Sequence, residues 1–340
     1  MSIVSKVFGG IVLCFAKVLR FALLIFEWVV WYNRRISYLG VGIMCFGRAL
    51  FNFTFKKHPL NGKMKADGYV TKKLMGDRFA ELHDFTLENR AKLKEIPHEE
   101  LNVETADGLK LVGWFFDAGS KNTLIIVHGY NSQGWTDGVA LACRAYEHGY
   151  NVLISDNRGC GVSEGEYVTF GVRESEDTAR WAEFINERIP NGNIALQGTS
   201  LGGATVCMCS ALDIPNLKAI VSDCAYTSMR FEFEYMHKLF IHCVFKHTLN
   251  SAERIAKKEL GFDFTNGSPI ECVAKAKYPM MFVHGKADTF IPCSEAEKLY
   301  AVCPTEKQLL LVDDCGHGGS QLARDEYFKP IFAFLDKHFG

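Results

Sequence analysis

The sequence predicts an α/β fold with a mostly parallel central sheet flanked by helices. Three observations predict it. Short apolar runs bounded by turn residues recur near 123–127, 151–155, 193–198, 219–223, 279–284 and 307–312. Helix-length stretches separate most of them, the spacing of strand–helix–strand crossovers rather than hairpins. Polar residues capable of chemistry stand directly after several of the runs.

At 340 residues, 48% hydrophobic and 23% charged, the chain can bury one large core and still have material left over. The excess lies at the N-terminus, where residues 7–32 and 36–55 are strongly apolar and separated by Asn33-Arg34-Arg35. As a helix the first stretch would extend about 39 Å, more than a hydrocarbon core of ~30 Å requires. Lys17, Arg20 and Glu27 interrupt it, yet they fall with Lys6 and Arg34 on one narrow stripe at 100° per residue. Three arrangements satisfy that stripe: a spanning helix packed on the second segment, a helix lying in the interface, or an arm packed on the protein's own core. Residues 1–55 are therefore expected to form membrane-associated helical segments, with membrane lipid as their partner. A cleaved signal peptide is not expected, because no small-x-small site follows a short apolar region. Positive charges flank both segments, so the sequence sets no orientation.

Residues 56–98 read as a polar connector with a helix near 77–95. Residues 100–116 read as a strand hairpin turning at Asp107-Gly108, and the domain they open runs from 99 to 340. Between the runs ending at Asp223 and starting at Pro279 the chain is too long for one crossover helix, so residues 227–277 are assigned to a small helical cap. Its Phe231, Phe233, Tyr235, Met236, Phe240 and Phe245 suit either an acyl-chain pocket or the cap's own core. A net charge of −1 gives no reason to expect nucleic acid. The twelve cysteines are spread through apparent strands and helices and read as buried apolar thiols, not as a disulfide scaffold. No C-x-x-C or histidine pair has metal-site spacing, and neither metal nor organic cofactor is expected.

The most informative motif is Gly198-Thr199-Ser200-Leu201-Gly202, set between an apolar strand and a small-residue helix. A serine on so sharp a turn carries its hydroxyl above the sheet, and glycines flank it because neighbouring backbone passes close by. A second match, Gly161-Val162-Ser163-Glu164-Gly165, leads into a polar loop instead, so Ser163 is read as loop and Ser200 as nucleophile. An activated serine needs a base, and the base needs an orienting acid. Both stand downstream at strand ends: Asp288 after 279–284, and His317 after 307–312. Asp223 is a competing acid, since it ends the 219–223 strand and could reach the same histidine. His128 and His284 each precede glycine and read as turn-bonding residues. Asp156 and Arg158 are expected to bond each other or nearby backbone. Asp313 and Asp314 read as solvated loop.

These motifs carry a resemblance. Asp107-Gly108, His128-Gly129, Asp156-x-Arg158-Gly159-x-Gly161-x-Ser163-x-Gly165, the 198–202 turn, His284-Gly285-x-x-Asp288 and Gly316-His317 span roughly residues 100 to 320. On them the chain resembles serine hydrolases of the α/β-hydrolase superfamily, in the esterase, lipase and serine-aminopeptidase-like group, and within it bacterial membrane-associated members. The chain order Ser200, Asp288, His317 agrees with that superfamily. Cys160 stands where many relatives carry histidine. The resemblance implies the α/β-hydrolase fold, a Ser200–His317–Asp288 triad, and an oxyanion hole made by the backbone N–H groups of Tyr130 and Leu201. It also implies a location at a bacterial cell membrane.

The expected substrate is a carboxylic ester, lipid esters included because of the apolar N-terminus. Two alternatives stay open: a peptidase of similar fold, for which Glu232, Glu234 and Glu253 are candidate anionic groups, and a non-catalytic binding protein on a hydrolase scaffold. With a histidine base, activity should fall as pH drops through about 6 to 7.

Overall fold

The computed structural model describes residues 36–57, 77–241 and 246–340; the side chains of 36–45 and 239–241 lie outside that description. Residues 7–32, the first apolar stretch, are also outside it. The second stretch is helix α1, Ile36–Phe55. Among the described residues no helix is long and apolar enough to cross a membrane.

The chain divides into two compact units, Met1–Phe53 with Phe245–Phe262, and Thr54–Val244 with Asp263–Gly340. In the first, α1 up to Phe53 meets α7, Lys246–Leu260. Gly47 permits the approach: a Cβ there would lie 2.2 Å from Ser251 Oγ. Arg48 bonds Glu259 alongside.

The second unit holds the sheet. Its strands are β1 Glu99–Glu104, β2 Lys110–Phe116, β3 Asn122–Val127, β4 Asn151–Ser155, β5 Asn193–Thr199, β6 Leu217–Asp223, β7 Met280–Gly285 and β8 Lys307–Val312. They form one sheet in the order β1-β2-β4-β3-β5-β6-β7-β8. The first two pair antiparallel, as the Asp107-Gly108 hairpin requires, and β2 also runs antiparallel to β4. From β4 onward every pairing is parallel. Residues of β3, β4 and β5 are buried on both faces, which is why they read as continuous apolar runs rather than alternating ones.

Helices cover both faces. Leu124, Ile126, Val152, Ile154, Ala195 and Val221 face a cluster that includes Leu93, Ala142, Ile331 and Phe334. These last come from α2 Phe79–Glu95, α3 Val139–Glu147 and α10 Asp325–Phe339. The segment expected to be a polar connector is thus partly core: Leu82, Phe85 and Leu93 of α2 are buried. Helices α4 Glu174–Arg188, α5 Leu201–Cys209 and α9 Ser294–Val302 complete the crossovers. The insertion after β6 contains α6 Met229–Ile241 and the short α8 Pro269–Val273, besides α7. The nine cysteines with described side chains are all free thiols.

One sequence expectation changes. Arg158 does not pair with Asp156; it forks onto Asp177 at 2.7 Å and reaches Asp107 at 2.9 Å. Asp156 bonds backbone, as the reading allowed, accepting the N–H groups of Gly134 and Val162, both at 2.8 Å. Ser163 is a loop residue as expected, since its hydroxyl donates to Asp156 O at 2.6 Å and accepts from Val112 N at 2.9 Å.

Candidate active site

Ser200 sits between the end of β5 and the start of α5 with φ 59° and ψ −117°, a left-handed conformation that a side-chain-bearing residue adopts only under constraint. The constraint is visible on both sides. Ser200 N donates to Asp223 O at 2.9 Å, and Ser200 O accepts the first helical bond from Ala204 N at 2.9 Å. The flanking glycines are sterically required: a Cβ on Gly198 would come 2.1 Å from Gly202 O, and one on Gly202 would come 2.0 Å from Val127 O. No rotamer relieves a backbone clash of that kind. The turn therefore needs glycine at both positions, and the strain is held by the packed β5–α5 junction.

His317 lies in the loop after β8, and the structure brings it to Ser200. Its Nε2 is 2.8 Å from Ser200 Oγ, and its Nδ1 is 2.7 Å from Asp288 Oδ2. The loop approaches β7 closely because Gly285 has no side chain; a Cβ there would meet Cys315 O at 2.2 Å. Ala287 N bonds Cys315 O at 3.0 Å, tying the acid-bearing and histidine-bearing loops together.

Asp288 is the carboxylate that meets His317, and Asp223 is not. The Asp223 side chain accepts Ser320 Oγ at 3.2 Å and the Tyr327 hydroxyl at 3.0 Å, and burial pushes its pKa up to about 6. Asp288 is held as an anion from both sides. Its Oδ1 accepts the backbone N–H groups of Phe290 and Ile291, at 2.8 and 2.9 Å. Its Oδ2 faces His284 Nε2 at 3.2 Å as well as His317. Burial opposes the charge, but His317 and His284 more than offset it and keep the carboxyl well below the usual carboxylate range.

His284 is fully buried, and its Nε2 also lies 2.9 Å from Ile291 O. A ring nitrogen facing a carbonyl must carry the proton, so His284 donates to Asp288 and fixes the acid's orientation. This is more than the turn-bonding role read from the sequence. His128 does fill such a role: Nε2 accepts Asn157 N at 2.9 Å, so Nδ1 donates to Gly129 O at 2.7 Å.

Burial works against a charged imidazole at His317, but Asp288 and Cys224 outweigh it and the pKa stands well above 6.5. Cys224, fully buried after β6, is the neighbour that the sequence did not disclose. Burial pushes its thiol up to about 11, so it stays neutral beside the imidazole at neutral pH. Cys224 Sγ, an Asp288 oxygen and a His317 nitrogen lie within 4.8 Å of one another. Asp288 already accepts four hydrogen bonds, so the trio offers little to a metal ion.

Two backbone segments adjoin the hydroxyl. Leu201 opens α5, where a helix start leaves N–H groups without intrahelical partners. The turn after β3 is packed against Ser200: a Cβ on Gly129 would lie 3.3 Å from Ser200 Cβ, and Tyr130 follows directly.

The insertion after β6 contributes a buried acid. Glu232 of α6 is 5% exposed, its Oε2 has no hydrogen-bond partner, and burial pushes its pKa up to about 8. It is near enough to His317 and Asp288 for their charges to act on it. Glu234 instead faces Arg230 at 3.4 Å. Of the cap aromatics, Phe233 packs among Phe55, Phe170 and Phe264, at 5.8, 4.9 and 4.8 Å between ring centres, and is core.

Comparison with known proteins follows the same lines. Residues 122–257 match the family model of the X-Pro dipeptidyl-peptidase (S15 family), a span that includes Ser200 and ends before Asp288. The chain is 27% identical over 225 residues to the uncharacterized protein YqkD of Bacillus subtilis, covering 64% of this chain and 72% of that one. It is 22% identical over 241 residues to the uncharacterized membrane protein YNL320W of Saccharomyces cerevisiae, covering 71% and 80%. The solved structure of the Pyrococcus furiosus esterase Pf2001 superposes with a TM-score of 0.61 at 24% identity, over 74% of this chain and 94% of that one. Sheet order and the superposition together show an α/β-hydrolase fold, with the strained elbow at the end of β5.

Proposed function

We propose that the protein hydrolyses carboxylic esters through an acyl-enzyme formed on Ser200. The observation that carries this reading is the continuous line from Ser200 Oγ through both nitrogens of His317 to Asp288, at 2.8 and 2.7 Å. Neutral His317 takes the Ser200 proton at Nε2 as Oγ attacks the acyl carbon, and Asp288 stabilises the imidazolium that results. The carbonyl electron pair moves onto oxygen, where the N–H groups of Tyr130 and Leu201 hold it. Collapse expels the alcohol, which takes its proton from Nε2. Water then attacks the acyl-enzyme by the same path, gives a proton to His317, and leaves the acid and a free Ser200 hydroxyl.

An esterase shares the fold, and lipid esters suit an enzyme with an apolar N-terminus. Membrane association, at a bacterial cell membrane, belongs to the same proposal. It rests on the apolar residues 7–32 and on a yeast relative named a membrane protein. Flotation of the full chain with phospholipid vesicles tests it, and a protein that stays at the bottom of the gradient refutes it.

A second reading, aminoacyl amide hydrolysis, is favoured by the match to a peptidase family model and by one structural observation. Glu232 is a buried carboxyl without a partner near His317, and a substrate ammonium would supply that partner. A panel of p-nitrophenyl esters of rising chain length beside aminoacyl p-nitroanilides separates the two. Turnover of the esters alone supports the ester reading; faster turnover of the anilides, lost in Glu232→Gln, would replace it.

A further inference from the structure

We infer that the phenol of Tyr130 is a positioning group for the oxyanion hole, and that the catalytic unit begins at Thr54, well before the first strand. The inference rests on the Ser200 reading above. Its starting point is the C-terminus of α1, whose last carbonyls have no partner within the helix. Partners come from the hydrolase body. Thr54 O accepts the Tyr130 hydroxyl at 2.9 Å, and Phe55 O accepts Val168 N at 2.7 Å.

The residues that follow are bound just as firmly. Lys56 forms an antiparallel bridge with Tyr167, and Lys57 N bonds Glu166 O at 2.7 Å. Lys57 Nζ reaches Ser163 O at 3.1 Å. Phe55 is 1% exposed, with its ring centre 5.3 Å from that of Phe170. Phe170 in turn lies 5.3 Å from the Tyr130 ring. Residues 54–57 thus form a strap, and Tyr130 is the residue through which it meets the turn beside Ser200.

That turn is one whose amide directions need fixing. Asn131 has φ 55°, a left-handed conformation, and the turn closes through Ser132 N to Gly129 O at 3.3 Å. Its upstream end is pinned by Gly129 N to Asp137 Oδ2 at 2.9 Å and by His128 to Gly129 O. At Tyr130 itself the phenol supplies a long lever to Thr54. An oxyanion donor must be set before the reaction, and a displacement of about 1 Å can cost up to about a hundredfold in rate.

The test is Tyr130→Phe in the full chain, which keeps the ring and removes the hydroxyl that bonds Thr54. Tyr150→Phe is the control, because the Tyr150 hydroxyl is likewise hydrogen-bonded, to Asp336, on another part of the fold. The readouts are the rate of phosphonylation by a fluorophosphonate, whose adduct places an oxygen in the oxyanion hole, and kcat and KM on p-nitrophenyl acetate. Tyr130→Phe should slow phosphonylation and kcat about tenfold with KM nearly unchanged, while Tyr150→Phe labels at the wild-type rate. Equal rates for Tyr130→Phe and wild type overturn the inference and leave the Ser200 reading intact. Equal slowing in both variants overturns it as well, by showing a general loss of stability. A wild-type chain that the probe never labels overturns the Ser200 reading first.

Discussion

At the scale of single residues, the electrostatics around His317 set the pH dependence. In the proposed mechanism the imidazole must be neutral to accept the Ser200 proton, and the Asp288 carboxylate favours its charged form. A pKa raised above 6.5 keeps the base protonated to higher pH, so activity should rise with pH through a midpoint above the ordinary histidine value. A pH profile of kcat/KM checks this, and a midpoint at or below 6.5 would contradict it. The sequence suggested about 6 to 7 because it could not show how completely Asp288 is held as an anion. Asp288→Asn should lower kcat by about 10²–10⁴-fold, by setting the wrong tautomer. Asp223→Asn should lower Tm more than kcat, since its bonds go to Ser320 and Tyr327. Steady-state kinetics beside thermal melts would reveal a reversal of these two effects.

At the scale of elements, the β5–α5 junction was legible and its supports were not. A glycine–serine–glycine turn between an apolar run and a small-residue helix is a local pattern, written in adjacent residues. Gly202→Ala should therefore be severe, because the added Cβ meets a backbone carbonyl at 2.0 Å. Its Tm should fall by several degrees and its fluorophosphonate labelling should vanish; a variant with wild-type Tm and labelling would show that the elbow can relax. The supports belong to residues far apart in the chain. Arg158 finds its partners in Asp177 and Asp107, 19 and 51 positions away, not in Asp156 two residues before it. Likewise, Cys224 touches His317 only because β6 and β8 flank β7 in the sheet. Glu232 read as one of several cap carboxylates until burial without a partner set it apart.

At the scale of the whole molecule, the fold was readable because parallel strands buried on both faces leave continuous apolar runs, and their order follows from crossovers. What the pattern could not give was the part played by residues 54–57, since a strap held by carbonyls and a phenol leaves no periodicity. The connector illustrates the same limit: Leu82, Phe85 and Leu93 are core, yet the helix that carries them is polar enough to read as surface. The central claim is itself a statement about the whole molecule, for Ser200 and His317 are 117 positions apart and meet only in the folded chain. Mass mapping of the protein after reaction with a fluorophosphonate tests that claim most directly. The account predicts one adduct, on Ser200, lost in Ser200→Ala and formed far more slowly in His317→Ala; an adduct on Ser163, or labelling undiminished in Ser200→Ala, would contradict it.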